Sequence, residues 1–276
     1  MKKKKQTENI FYQHYHEEVK AVQKILTSSV SPKKIHRLRV HIKNIKTFLL
    51  LFNETAPGQL KIKKFSVFLR KVFKKSGKAR EMQLNYSLAK RSNMRKKAAY
   101  EKYTHKKISR SKEALKKIIS SFDPKIIRKA DRKVNRLCET LSTNYILLQS
   151  KQFIAKEIHQ VEIMPEENGN EGFHQLRKHL KAIYAVASVL CKTHTADVLK
   201  KELAQLKKTE QAIGRWHDNM MFHVSKVHFF KNNNHPSVQK KTLSQHLLQS
   251  KTGSRKSILT LLQHIINNLP QEVGRP

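Results

Sequence analysis

The chain has 276 residues and a formal net charge of +38, from 58 Lys and Arg against 20 Asp and Glu. Such an excess repels itself unless a polyanion neutralises it, so the candidate partners are DNA, RNA, an anionic membrane surface or inorganic polyphosphate. Seven Gly and seven Pro allow few turns, which excludes a many-stranded sheet and predicts an all-α protein.

The chain begins with the basic tail 1–7, Met1-Lys2-Lys3-Lys4-Lys5 leading it. No apolar stretch follows, because Glu8, His14, His16, Glu17 and Glu18 interrupt it, so this is not a signal peptide. Residues 9–28 read as an amphipathic helix with Ile10, Val19, Val22, Ile25 and Leu26 inward. Ser31-Pro32 starts the next helix, serine as N-cap and proline at the first helical position, and that helix ends between Asn53 and Gly58. A third helix is expected over 58–76, with Leu60, Ile62, Phe65, Phe68, Leu69 and Val72 apolar. Gly77 is expected to break or kink it before helix resumes over 79–92. Residues 93–120 are highly basic with sparse apolar anchors at Tyr100, Tyr103, Ile108, Leu115, Ile118 and Ile119. Phe122-Asp123-Pro124 marks a boundary, followed by helices over 125–149 and 151–163. Pro165 to Gly172 is the most loop-like stretch. Helices are then expected at 173–192, 196–213, 215–231, 236–250 and 255–269, with a turn at Asn232 to Pro236. The longest apolar run, Phe48-Leu49-Leu50-Leu51-Phe52, is too short to span a bilayer. Cys138 and Cys191 show no metal or redox spacing and fit a reduced compartment. A cytoplasmic, soluble protein is the expectation.

One pattern occurs twice. His36-Arg37-Leu38-Arg39-Val40-His41-Ile42-Lys43 and His174-Gln175-Leu176-Arg177-Lys178-His179-Leu180-Lys181 both read H-x-L-R-x-H-[IL]-K. At about 100° per residue, positions i, i+3 and i+7 fall within roughly 60° of one another. Each helix therefore presents a cationic stripe. In the first copy Leu38, Ile42, Ile45 and Leu49 lie opposite and anchor it. No acid lies between Ser31 and Asn53, so the first stripe lacks the i+4 partners of an ordinary surface helix. Leu69-Arg70-Lys71 recurs as Leu206-Lys207-Lys208, and Gly77-x-x-x-Glu81 as Gly214-x-x-x-Asp218. The three matches are offset by 138, 137 and 137 residues, the mark of an internal repeat. Repeat one is assigned to about 8–122 and repeat two to about 124–272, giving two helical bundles side by side.

The paired histidines are spaced i, i+5, which turns their rings about 140° apart. No carboxylate completes a zinc-like set, so no metal or cofactor is expected. The glycines could be plain helix C-caps, and Glu81 and Asp218 could orient neighbouring basic side chains. No paired-carboxylate motif, P-loop, G-x-S-x-G or Cys/His dyad is present, and the acids are few and scattered, so catalysis is not expected.

Over residues 8–270 the chain resembles the CHAD domains, conserved-histidine α-helical domains. The resemblance rests on His36, Arg39, Val40, Lys43 and Lys46 in the first copy and on His174, Arg177, Lys178 and Lys181 in the second. It rests also on Gly77-Lys78-Ala79-Arg80-Glu81 and Gly214-Arg215-Trp216-His217-Asp218. The chain departs from the family pattern in three places. Ala182-Ile183-Tyr184-Ala185 has lost a base, Glu81 stands for Asp, and His217 stands for Arg. The resemblance implies two pseudo-symmetric bundles around a central basic groove. It implies inorganic polyphosphate as ligand, a place at polyphosphate granules, and polyphosphate-metabolising enzymes as possible partners. The residues expected to bind are His36, Arg39, Lys43, Lys46, Arg70, Lys71, Arg80, His174, Arg177, Lys181, Lys207 and Lys208. Polyphosphate offers no bases to stack on, so such a site needs cations and no aromatic platform. The alternative is non-specific nucleic-acid binding, which +38 alone would support.

Overall fold

Short polar residues cap the first two helices, the second of them at the serine the sequence predicts. In a computed structural model that describes residues 9–92, 94, 96–164, 169–193, 199–231 and 255–269, Asn9 accepts from the backbone N–H groups of Phe11 at 3.0 Å and Tyr12 at 3.4 Å, opening α1 (Ile10–Leu26). Ser31 accepts from Lys34 N at 3.2 Å, with Pro32 leading α2 (Pro32–Thr55). Then come α3 (Lys63–Lys90), α4 (Lys97–Ser120), α5 (Lys125–Thr140), α6 (Thr143–Glu162), α7 (Gly169–Thr193), α8 (Lys200–Lys231) and α9 (Arg255–Asn267). The fold is all-α, with no strand among the described residues. None of the described helices is long and apolar enough to cross a membrane. The tail 1–7, the turn from Asn232 and the helix expected at 236–250 lie outside the described residues.

Several boundaries differ from the sequence reading, among them the start of α7, which is helical from Gly169 where a loop is expected through Gly172. Neither Gly77 nor Gly214 ends a helix: α3 runs 28 residues and α8 runs 32 residues straight through them. Both glycines serve a close approach by a neighbouring side chain, described below, and not a turn. The helix expected over 125–149 ends at Thr140, because Leu141 is extended and Ser142 caps α6 by accepting from Tyr145 N at 3.2 Å. The third helix begins at Lys63, after a turn over 57–59 in which Gly58 takes φ 76° and an irregular stretch over 60–62.

One apolar cluster runs from Phe11 to Leu269 and joins the two halves of the chain. Against α2, which buries Leu38, Ile42, Ile45, Leu51 and Phe52, pack α1, α3, α6 and α7. Fully buried side chains of this size contribute about 1.5–3 kcal/mol each, so α2 is fixed in rotation about its axis. α5 packs on α1 and α3, as α9 packs on α6 and α8. A smaller cluster of Ala89, Tyr100, Phe222, Phe229 and Phe230 ties the end of α3 and the start of α4 to the end of α8. There Tyr100 Oη donates to Ser225 Oγ at 2.8 Å.

Candidate functional site

Because the Leu38–Ile42–Ile45 face of α2 is locked into the core, its stripe has a single direction to point. It faces a cleft of about 680 Å³ whose walls come mainly from α2, α3, α7 and α8. His36, Arg39, Lys43 and Lys46 enter from α2, and His174, Arg177 and Lys181 from α7. Arg80 enters from α3, and His217 and Asp218 from α8. Eight of the twelve expected binding residues line this one space. Arg70, Lys71, Lys207 and Lys208 do not; all four are exposed on α3 and α8. Arg70 stays near enough to Lys46 to depress its pKa, and Lys207 sits 5.3 Å from the centre of the Tyr184 ring.

Arg39 shows why a glycine stands at position 77. Its Nη1 donates to the carbonyl oxygen of Phe73 at 2.6 Å, and its Cζ lies 4.0 Å from the centre of the Phe73 ring. A Cβ on residue 77 would come within 2.8 Å of that Nη1. The second half repeats the arrangement. A Cβ on residue 214 would lie 2.5 Å from Arg177 Nη2 and 2.8 Å from its Cζ. Each glycine leaves room for a guanidinium to approach the helix closely.

The two stripes differ in what they meet. Around the first, Phe73 carries three cations over its face, with Lys46 Nζ at 4.9 Å and Lys43 Nζ at 5.8 Å besides Arg39. An aromatic ring therefore does underlie the first stripe, contrary to the sequence expectation; it comes from α3, beyond the reach of a local pattern. Position 210, which lies 137 residues beyond 73, holds Glu210. Its Oε1 accepts from Arg177 Nε at 2.7 Å and pairs with Lys181 Nζ at 3.0 Å. The second stripe has an internal acid, and the first has none.

Lys43 of α2 and Lys181 of α7 both enter the cleft, near enough for the charge of one to depress the pKa of the other. Burial and the neighbouring Lys181, Arg177 and Arg39 pull the Lys43 ammonium down to about 7. Burial and Arg80 lower Arg39 to about 10. His36 is lowered by burial first, then by Arg80, Lys43 and Lys181; burial also leads the lowering at His174 and His217. Nδ1 of His174 and Nδ1 of His217 are buried with no hydrogen-bond partner, their rings 5.4 Å apart. The cleft thus holds a concentration of positive charge and buried donors that an anion would relieve.

The second histidine of each motif has another job. His41 Nδ1 meets Glu18 Oε2 at 2.6 Å, and Glu18 Oε1 accepts from Asn44 Nδ2 at 2.8 Å. His179 Nδ1 meets Glu157 Oε2 at 2.8 Å. Each histidine ties its stripe helix to the helix preceding it. The sequence reading overlooked Glu18, Glu157, Glu210 and Phe73; the available signal was that Glu18 and Glu157 stand 139 residues apart, almost the repeat offset. Among the described residues no group of three or more His, Cys, Asp or Glu could hold a metal ion.

An all-helical chain with two histidine–arginine–lysine stripes converging on one cationic cleft is the class of protein these features define. The chain belongs to the CHAD domain family, whose model matches residues 11–224. Its fold is similar to the crystal structure of the CHAD domain from the plant Ricinus communis, with a TM-score of 0.66 at 14% identity, over 96% of this chain and 93% of that one. No curated protein matches the chain.

Proposed function

We propose that this protein binds inorganic polyphosphate in the cleft between α2 and α7. The observation that carries the reading is the convergence of Arg39, Lys43, Lys46 and Arg80 with Arg177 and Lys181 on one space of about 680 Å³. Burying and crowding those cations is unfavourable without an anion. A linear chain of phosphates supplies one charge per residue, is thin enough for such a cleft and asks nothing of base recognition. His36, His174 and His217 add ring nitrogens that donate to phosphate oxygens once protonated. The role proposed is binding without catalysis; Glu81, Glu157 and Asp218 are the carboxylates among the residues that line the cleft. In the cell the same affinity would place the protein in the cytoplasm at polyphosphate granules, beside enzymes that make or degrade the polymer.

The exposed row Lys125, Arg128, Lys129, Arg132, Lys133 and Arg136 on α5 favours a second reading, non-specific attraction to nucleic acid. Competition decides between them. At about 0.15 M salt, long-chain polyphosphate is expected to displace duplex and single-stranded DNA at equal phosphate concentration; displacement in the other direction would refute the polyphosphate reading.

A further inference from the structure

The two stripes occupy matching positions, yet only one of them is open. On α2, Arg39, Lys43 and Lys46 face the ring of Phe73, whose negative face attracts them without neutralising their charge. On α7, Arg177 Nε and Lys181 Nζ both converge on the same oxygen, Oε1 of Glu210, at 2.7 and 3.0 Å. The side chain of Glu210 is 14% exposed, so this is an enclosed contact and not a solvated surface pair. Its two cations and their spacing are what a phosphate oxygen would meet. We propose that Glu210 is an internal stand-in for a phosphate group, filling the subsite of the second stripe so that a phosphate chain gains Arg177 and Lys181 only by displacing it.

This inference rests on the polyphosphate reading and adds a specificity to it. A short chain binds the open stripe around Arg39 and Lys43. A long chain, already held there, presents its next phosphates to the second stripe at high effective concentration and can push the carboxylate aside. Glu210 therefore discriminates by length: it penalises ligands that arrive at the second stripe alone and is overcome by those tethered next to it. Position 210 achieves this because α8 places it where α3 places Phe73, one acid in place of one ring.

The test compares Glu210→Gln with Glu54→Gln. Both raise the net charge by one, but Glu210 contacts Arg177 and Lys181, which line the cleft, whereas Glu54 pairs at 2.7 Å with Lys156, which does not. Binding of sodium triphosphate and of long-chain polyphosphate is measured by calorimetry across a salt series. Glu210→Gln is expected to bind triphosphate about tenfold more tightly, the worth of roughly one charge-assisted contact. Glu54→Gln is expected to change that affinity less than about twofold, in line with the small effect of exposed charges at physiological salt. The slope of log affinity against log salt should steepen in Glu210→Gln by about 0.7 for each contact released. Equal gains in both variants, or a loss in Glu210→Gln, would overturn the proposal, the loss showing that Glu210 only positions Arg177 and Lys181. Phe73→Glu gives the reciprocal readout: it should close the open stripe and lower triphosphate affinity about tenfold, and unchanged affinity would overturn the proposal equally. If the unaltered protein binds neither phosphate ligand, it is the polyphosphate reading itself that fails.

Discussion

Gly77→Ala is the sharpest test of why a glycine sits in the middle of α3. In an exposed helix interior this change stabilises by about 1 kcal/mol, since glycine costs backbone entropy that alanine does not. Here the added Cβ would lie 2.8 Å from Arg39 Nη1 and 3.4 Å from its Cζ. The guanidinium must shift, and its 2.6 Å bond to the Phe73 carbonyl goes with it. Hydrogen bonds to charged groups contribute about 1.5–3 kcal/mol, so the substitution should destabilise by about 1 kcal/mol overall. In an Arg39→Ala background there is nothing to displace, and Gly77→Ala should stabilise by about 1 kcal/mol. The double-mutant cycle therefore predicts a coupling of about 2 kcal/mol, well above the 0.3–0.5 kcal/mol scatter of independent sites. Urea unfolding of the four proteins, followed by circular dichroism with matched m-values, reads it directly. Additive effects would show that the glycine has no part in seating the arginine.

Lys43→Met should raise stability at pH 7. The folded protein holds the Lys43 pKa at about 7 against the ordinary 10.5, so between those values the unfolded chain binds more protons and wild-type stability rises with pH. The advantage of Lys43→Met, a few kcal/mol near pH 6–7, should accordingly shrink by pH 9.5 in thermal melts; a constant advantage would mean Lys43 is not depressed. Conversely, polyphosphate binding at pH 8 should take up protons, seen as a buffer-dependent calorimetric enthalpy. Arg39→Ala should weaken polyphosphate binding more than Arg177→Ala, because Arg177 already shares its charge with Glu210; calorimetry on the two variants decides. Glu18→Gln should cost about 1–3 kcal/mol of stability by loosening His41 and Asn44, while changing polyphosphate affinity by less than about threefold, as an anchoring role outside the cleft requires.

Much of the site could be read from spacing alone. The stripes His36–Arg39–Lys43 and His174–Arg177–Lys181 follow from helical periodicity, and periodicity is local. The all-α fold follows from the scarcity of turn-formers and the regular burial of positions such as Val19, Val22, Phe65 and Val72. What escaped was tertiary. Glycine is ambiguous in sequence: a residue that usually ends a helix can also give a neighbour room, and only the position of Arg39 and Arg177 settles which. The partners Phe73 and Glu210 come from a different helix 34 and 33 residues away from Arg39 and Arg177, a separation no periodic pattern spans. Ser142 was hidden for another reason: a cap between two apolar periodic segments reads as part of one long helix unless the extended Leu141 before it is seen.

α8 extends the consequence of the small aromatic cluster. At 32 residues and about 1.5 Å per residue it is a rod of roughly 48 Å. Its middle carries His217 and Asp218 into the cleft and sets Glu210 and Gly214 against Arg177, and its end is clamped through Phe222, Phe229 and Phe230 to Tyr100 of α4. Its earlier turns are pinned in the main core by Leu203, Leu206 and Ile213. A beam held at both ends does not bow to admit a wider object, so the distance between the walls behaves as a fixed gauge. Loosening that clamp would then alter the width the cleft offers, with the charged side chains of its lining still in place.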